Sequence, residues 1–299
     1  MGRWNDMRIF KDRRPRIACE FSSAHLVAAR AAANGSVGAP VVCVLPPGTL
    51  TPDLLATNIP GRDAVRTALE DAREKLGGRD REMAVILPDA CCRIGLIELD
   101  VLPQKHEEAD ALVRLRLRKS LPFEVGKARV CWQAQKANGK TTVLAAATLT
   151  AVLEEYESVV REAGFSPGLV LPSVLASLRV VDASVPTLLI KVDATTTGIA
   201  VVNSLSVVLV RILEGTPGQR LEGSRLAGEV HSSLMFLQDA YGTKVEKIVV
   251  SGATSLDELN KVLEASTGVQ AQELVGAVQL DPDAPRPFPV LGALSGALV

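Results

Sequence analysis

The stretch PTLLIKVDATTTGIAVVNSLSVVLVRIL, Pro186–Leu213, narrows the choice of folds more than any other part of the chain. Three runs rich in Val, Leu and Ile are split by short turns at Ala194–Thr197 and Asn203–Ser206, which predicts a three-strand meander. It restarts mid-chain a pattern already used at the beginning. RIACEF, HLVAARAAA and PVVCVLPPG open the first half, and a helix and a buried strand follow them. Strands mixed with helices in two similar halves imply an α/β protein with two lobes.

The elements between can be read locally. In RDAVRTALEDAREKLGG, Val65, Leu69, Ala72 and Leu76 recur at helical spacing, and Gly77–Gly78 supply the stop. MAVILPD reads as a buried strand, its Asp89 as a strand-end turn residue. HEEADALVRLRLRKSLPF reads as a helix ended by Pro122. Leu112, Leu115 and Leu117–Leu121 form its apolar stripe, and Arg114, Arg116, Arg118 and Lys119 its basic face. VCWQAQKANGKTTVLAAATL reads as a hairpin around Asn138–Gly139. AVLEEYESVVREAG is an amphipathic helix stopped by Gly164, and PSVLASLRVVDA a shorter one. RLAGEVHSSLMFLQDAYG reads as a helix, KIVVSGA as a strand and loop, and SLDELNKVLEASTG as a helix with a Ser255–Glu258 capping box. The last residues read as a short apolar helix after a proline-rich connector.

Net charge is −1 over 299 residues, so no global basic field argues for nucleic acid. No run reaches the roughly 18–20 apolar residues of a membrane span. The basic N-terminus, with Arg3, Arg8, Lys11, Arg13, Arg14 and Arg16, carries no signal-peptide core. It reads as a solvated tail, with attraction to an anionic inner-membrane surface as the sharper alternative. The five cysteines show no CxxC spacing, and His25, His106 and His231 have no helical His partner, so no metal site is expected. A reducing cytoplasm fits free cysteines in apolar runs. No GxSxG surrounds Ser22–Ser23, so a hydrolase nucleophile is not expected, and no catalytic residue is assigned.

Several stretches in order resemble the PilM family of type IV pilus assembly proteins, and more distantly the cytoplasmic part of the type II secretion protein GspL. They are MAVILPDACCRIGLIELDVLP, LRLRKSLPFEVGKARVCWQ, EEYESVVREAGFSPGLVLPSVLASLRVV, KVDATTTGIAVV and EVHSSLMFLQDAYGTKVEKIVVSGA. The resemblance covers roughly residues 16–299. It implies an actin-like, ribonuclease H-like fold of two lobes. The first lobe would span 1–185, with a small inserted subdomain near 99–138. The second would span 186–299, its upper subdomain reduced or absent because only ILEGTPGQRLEGSR separates Arg211 from Leu226. The C-terminal helix could return to the first lobe.

The resemblance also locates a nucleotide site, which actin-type proteins build from two phosphate loops and an adenosine turn. In ACEFSSAH, Glu20 stands near the family's metal-holding Asp, Ser22 replaces a Gly, and Ser23 survives as a phosphate hydroxyl. In the second loop Lys191 takes the Asp position, Asp193 and Thr195 take the two Gly positions, and Thr196 and Thr197 match. A lysine cannot ligate Mg²⁺. A carboxylate at Asp193 facing phosphate is repelled by about 4 kcal/mol at intermediate dielectric. Lys191 could offset a phosphate or pair with Asp193. In the adenosine turn Ser251–Gly252 remain and Ala253 replaces the second Gly. ATP and Mg²⁺ are therefore not favoured.

The expected function is a cytoplasmic adaptor at the inner face of the inner membrane, associated with that membrane through partners. It would dock the cytoplasmic tail of a PilN-like protein beside the small subdomain. Phe123 after Pro122 reads as a core anchor of the small subdomain; in the docking reading Leu121 and Phe123 are expected at the pocket floor and Arg116 or Arg118 at its rim. The alternatives are an active actin-like ATPase holding Mg-ATP, and a polymerising element that the short second lobe disfavours.

Overall fold

The computed structural model describes residues 14–32, 37–137, 140–215, 221–252, 256–274 and 291–298. The first half opens with β1 (Ile17–Phe21), β2 (His25–Arg30) and β3 (Val41–Val44), then α1 (Arg62–Leu76) and β4 (Glu82–Leu87). After β5 (Arg93–Leu99), α2 (His106–Leu117), β6 (Ala128–Ala137) and β7 (Lys140–Leu149) come α3 (Thr150–Glu162), β8 (Ser166–Pro172) and α4 (Ser173–Leu178). The second half runs β9 (Thr187–Val192), β10 (Thr196–Asn203), β11 (Ser206–Glu214), α5 (Gly223–Tyr241), β12 (Lys247–Ser251), α6 (Leu256–Thr267), β13 (Ala271–Glu273) and α7 (Leu291–Leu298).

Each half builds a five-stranded sheet with the same connectivity. The orders are β3-β2-β1-β4-β8 and β11-β10-β9-β12-β13. In both, the first three strands form an antiparallel meander and the last two add in parallel. This is the ribonuclease H-like sheet, used twice. The predicted meander in the second half is present. Its turn between β10 and β11 is made by Ser204 and Leu205, both at positive φ, as a two-residue hairpin requires.

Both faces of the first sheet are covered, which explains strands with no polar alternation. Ile17, Cys19 and Phe21 of β1 point to the side of α1 and α3, where Val65, Leu69, Val152 and Tyr156 are buried. Ala18 points the other way, with Val27, Ala84 and Ile86, against Ala293, Leu294 and Ala297 of α7. The C-terminal helix thus packs on the first sheet. It also crosses α4 closely: a Cβ on Gly296 would lie 1.8 Å from the Ala176 carbonyl oxygen. The second sheet turns Leu188, Ile190 and Val192 towards Leu226, Val230 and Leu237 of α5 and Leu263 of α6.

The inserted layer is a three-stranded sheet, β5-β7-β6, backed by α2. It takes in 93–149, wider at both ends than 99–138, because the central strand β7 pairs along its length with both outer strands, β5 and β6. β6 and β7 pair through Ala137↔Lys140, the register of a two-residue hairpin, though Asn138 and Gly139 themselves lie outside the described residues. So do Ser255 of the capping box, Ala253, Arg3, Arg8, Lys11 and Arg13.

Two local readings change. α2 stops at Leu117 rather than running to Pro122, since the Ser120 and Leu121 amides both fold back to the Leu117 carbonyl. Its buried stripe is Ala109, Val113 and Leu117, while Leu115 is 60% exposed. Asp89 does stand in a short turn, Asp89–Cys91, just after β4, and it is 1% exposed there. No helix among the described residues is long and apolar enough to cross a membrane.

Candidate functional site

β1 and β9 hold equivalent places in the two sheets, and each turns into its hairpin at the cleft between the lobes. Glu20 of β1 and Lys191 of β9 meet there. Lys191 Nζ lies 2.8 Å from Glu20 Oε1, and the two side chains are 1% and 4% exposed. The same Oε1 accepts a 2.6 Å hydrogen bond from the Ser173 hydroxyl at the start of α4. Lys191 Nζ also donates to the Val192 carbonyl at 3.4 Å. Burial pulls the Lys191 ammonium down, but Glu20, Asp193 and Asp89 more than offset it, and its pKa ends above the usual lysine value. The lysine is held charged inside the protein.

Asp89 joins this cluster. Its two carboxylate oxygens accept from the Val174 amide at 3.0 and 3.2 Å. Burial raises its pKa to about 7, opposed by the Val174 bond and by Lys191. In the unfolded chain the group titrates near 3.8. Between these values the folded state keeps a proton that the unfolded state releases, so stability falls as pH rises through the window. The full slope is about 1.4 kcal/mol per pH unit. Asp89→Asn keeps an acceptor for Val174 and removes the titration. Urea unfolding from about pH 5 to 8 should show the variant gaining on the wild type as pH rises, levelling above about pH 8. Parallel curves would mean that Asp89 does not titrate in this range.

The other loop residues are distributed as follows. Ser22 is buried and closes the β1–β2 turn through its bonds with His25, and Ser23 is half-buried beside it. Asp193 and Thr195 are half-buried in the β9–β10 turn, which the Asp193 amide closes onto the Thr196 carbonyl. Thr196 and Thr197 lie inside β10, their hydroxyls buried with no protein hydrogen bond, as is Glu20 Oε2. Ser251 is buried at the end of β12. Gly252 follows at φ +89°, and a Cβ there would sit 1.9 Å from the Val192 carbonyl oxygen. The cluster thus brings together Glu20, Lys191 and the neighbourhood of Asp193. Sequence reasoning missed Ser173 and Asp89, whose only signal was a Leu-Pro-Asp strand end.

A second feature lies beside the inserted sheet. A groove of about 330 Å³ runs between α4, β8 and the β6–β7 hairpin, lined by Val130, Trp132, Leu144, Leu175 and Leu178 among others. A neighbouring hollow of about 380 Å³ shares Cys131, Ala146, Val170, Leu171 and Pro172 with it and takes in Pro167–Leu169. Among the described residues β8 is hydrogen-bonded on one side only, to β4, and β6 is the edge of its own sheet. Trp132 is fixed by stacking on His106 at 5.3 Å and by donating Nε1–H to Asp110 at 3.0 Å. Arg116, Arg118, Leu121 and Phe123 do not line this groove. Leu121 and Phe123 pack with Val113, Leu117 and Val130, and with Arg118 they edge a shallow hollow formed by 118–127. Arg116 is exposed on α2.

No protein-family model and no curated protein matches the chain. Among solved structures, a chain of the PilM–PilN type IV pilus biogenesis complex superposes with a TM-score of 0.78 at 17% identity, covering 95% of this chain and 98% of that one. The cytoplasmic domain of EpsL, an inner-membrane component of the Vibrio cholerae type II secretion system, gives 0.52 at 12% identity, with 94% and 93% covered. A Bacteroides thetaiotaomicron protein with an actin-like ATPase fold gives 0.54 at 9% identity, with 86% and 90% covered. The twice-used β3-β2-β1-β4-β8 connectivity and these superpositions agree: the chain has the two-lobed actin-like ATPase fold, and it is PilM-like in that fold.

Proposed function

We propose that the chain is a docking component of a type IV pilus or type II secretion assembly platform, at the cytoplasmic face of the inner membrane. It holds the cytoplasmic tail of a PilN-like membrane protein in the groove between β8 and the β6–β7 hairpin. The observation that carries this reading is the apolar groove beside a strand paired on one side only, in a chain of PilM-like fold. An extended peptide can add to β8 by backbone hydrogen bonds, while alternate side chains enter the apolar hollows. Trp132, locked by His106 and Asp110, is a rigid wall of the kind that anchors peptide side chains.

In the same reading the nucleotide site is degenerate. Mg-ATP does not fit the residues present. The two loop positions nearest the phosphates are joined in a buried ion pair, so a phosphate would have to displace Glu20 from Lys191 and leave a carboxylate against its own charge. Thr196 and Thr197 carry buried hydroxyls with no protein hydrogen bond, and the likewise unbonded Glu20 Oε2 is an acceptor only.

Immobilised PilN-like tail peptide should retain the purified chain without nucleotide. Failure to bind at high micromolar peptide would overturn the docking assignment. Calorimetric titration with Mg-ATP should give no saturable heat. Saturable heat, with phosphate release abolished by Asp193→Ala, would establish the rival ATPase.

A further inference from the structure

We infer that the Glu20–Lys191 pair is a permanent lock that holds the two lobes closed with the protein's own side chains. This goes beyond tail docking and does not depend on it. The pair is the direct side-chain bridge between the central strands of the two sheets, and it is buried from solvent at both ends. Its surroundings are built to keep it. Ser173 at the start of α4 holds Glu20 from one side, and the Val192 carbonyl holds Lys191 from the other. α4 itself lies between the lobes: Asp89 binds its Val174 amide, and Gly198 of β10 leaves room for Val174 and Asp89, whose atoms would lie 3.0 and 3.1 Å from a Cβ. The charge arrangement sets the direction of the force. Two carboxylates facing one another across a cleft repel and need a bound cation, whereas a carboxylate and an ammonium attract unaided.

A second bridge closes the side of the cleft. Gln135 of β6 pairs its amide with both the N–H and the carbonyl of Val207 on β11, and the Ser206 hydroxyl donates to the Lys136 carbonyl at 2.8 Å. The Tyr241 hydroxyl of α5 donates to Glu98 of β5 at 2.7 Å. The inserted sheet is therefore fastened to the second lobe's edge strand, and its orientation follows the lobe angle. Freeing the lobes should disturb the insert as well.

The test is a distance measurement between the lobes. Leu55, 53% exposed in the first lobe, and Glu264, exposed on α6, are replaced by cysteine and spin-labelled in a Cys131→Ser background, the remaining cysteines being buried. With Glu20 and Lys191 intact, one narrow distance distribution is expected, unchanged by Mg-ATP. In Glu20→Ala/Lys191→Ala, which removes both charges together, the distribution should broaden and lengthen. Should that variant not fold by circular dichroism, Glu20→Gln alone, which leaves the Lys191 ammonium without its carboxylate partner across the cleft, is read the same way. An unchanged narrow distribution in the folded variant would overturn the lock. So would a distance in the unmutated pair that moves when Mg-ATP is added. Tail-peptide binding is not read in this experiment, so its outcome is separate from that of the docking reading.

Discussion

Lys191→Met should destabilise the protein by about 3–5 kcal/mol, the cost of stranding one member of a buried ion pair. Methionine fills most of the lysine's volume, so the loss reports charge rather than a cavity. Glu20 then keeps its hydrogen bond from Ser173 but has no cation, and Asp89 and Asp193 lose the buried ammonium that offsets them. Adding Glu20→Gln removes the stranded carboxylate while preserving an acceptor for Ser173. The double variant should recover most of the loss, since a buried pair replaced by neutral groups of similar volume is often neutral or stabilising. Urea unfolding of the four proteins at pH 7 gives the coupling directly. Additive single losses, with no recovery in the double, would show that Glu20 and Lys191 act independently and that their 2.8 Å contact carries no stability.

Cys131→Trp should abolish capture of the tail peptide, with a loss of at least about 100-fold in affinity, an order set by buried anchor residues at interfaces. Cys131 is exposed on β6 and lines both the groove and its neighbouring hollow. An indole there fills the space the peptide needs without entering the core, so the fold should survive. Phe123→Ala, by contrast, truncates a residue that packs under α2 outside the groove, and peptide affinity should change little. Anisotropy titration of a fluorescent tail peptide reads both. Strong binding by the tryptophan variant together with loss in Phe123→Ala would move the peptide to the hollow at 118–127.

Much of the architecture was legible in the residues. The meander at Pro186–Leu213, the α1 stripe at Val65, Leu69 and Ala72, and the Asn138–Gly139 hairpin register all follow from local periodicity and turn chemistry. α2 was harder. Its leucines and arginines alternate, so Leu115 looked as apolar as Leu117, and only packing against β6 and β7 selects the Ala109–Val113–Leu117 face. The cleft was half legible. Unusual residues at the loop positions were visible, but the partner of Lys191 was not, because Glu20 comes from the other lobe and only the closed fold brings them to contact. Asp89 looked like an ordinary strand end for the same reason: what buries it is α4, far along the chain. The groove had no local signal at all, since it is the space between the edges of two different sheets.

The most direct test of the account is isothermal calorimetry of a PilN-like cytoplasmic tail peptide against the purified chain, with and without Mg-ATP. Docking in a groove whose walls are already in place, on a fold whose cleft is closed by Glu20 and Lys191, predicts saturable binding with the same Kd in both conditions. Binding that appears only with Mg-ATP, or no binding in either condition, would contradict it.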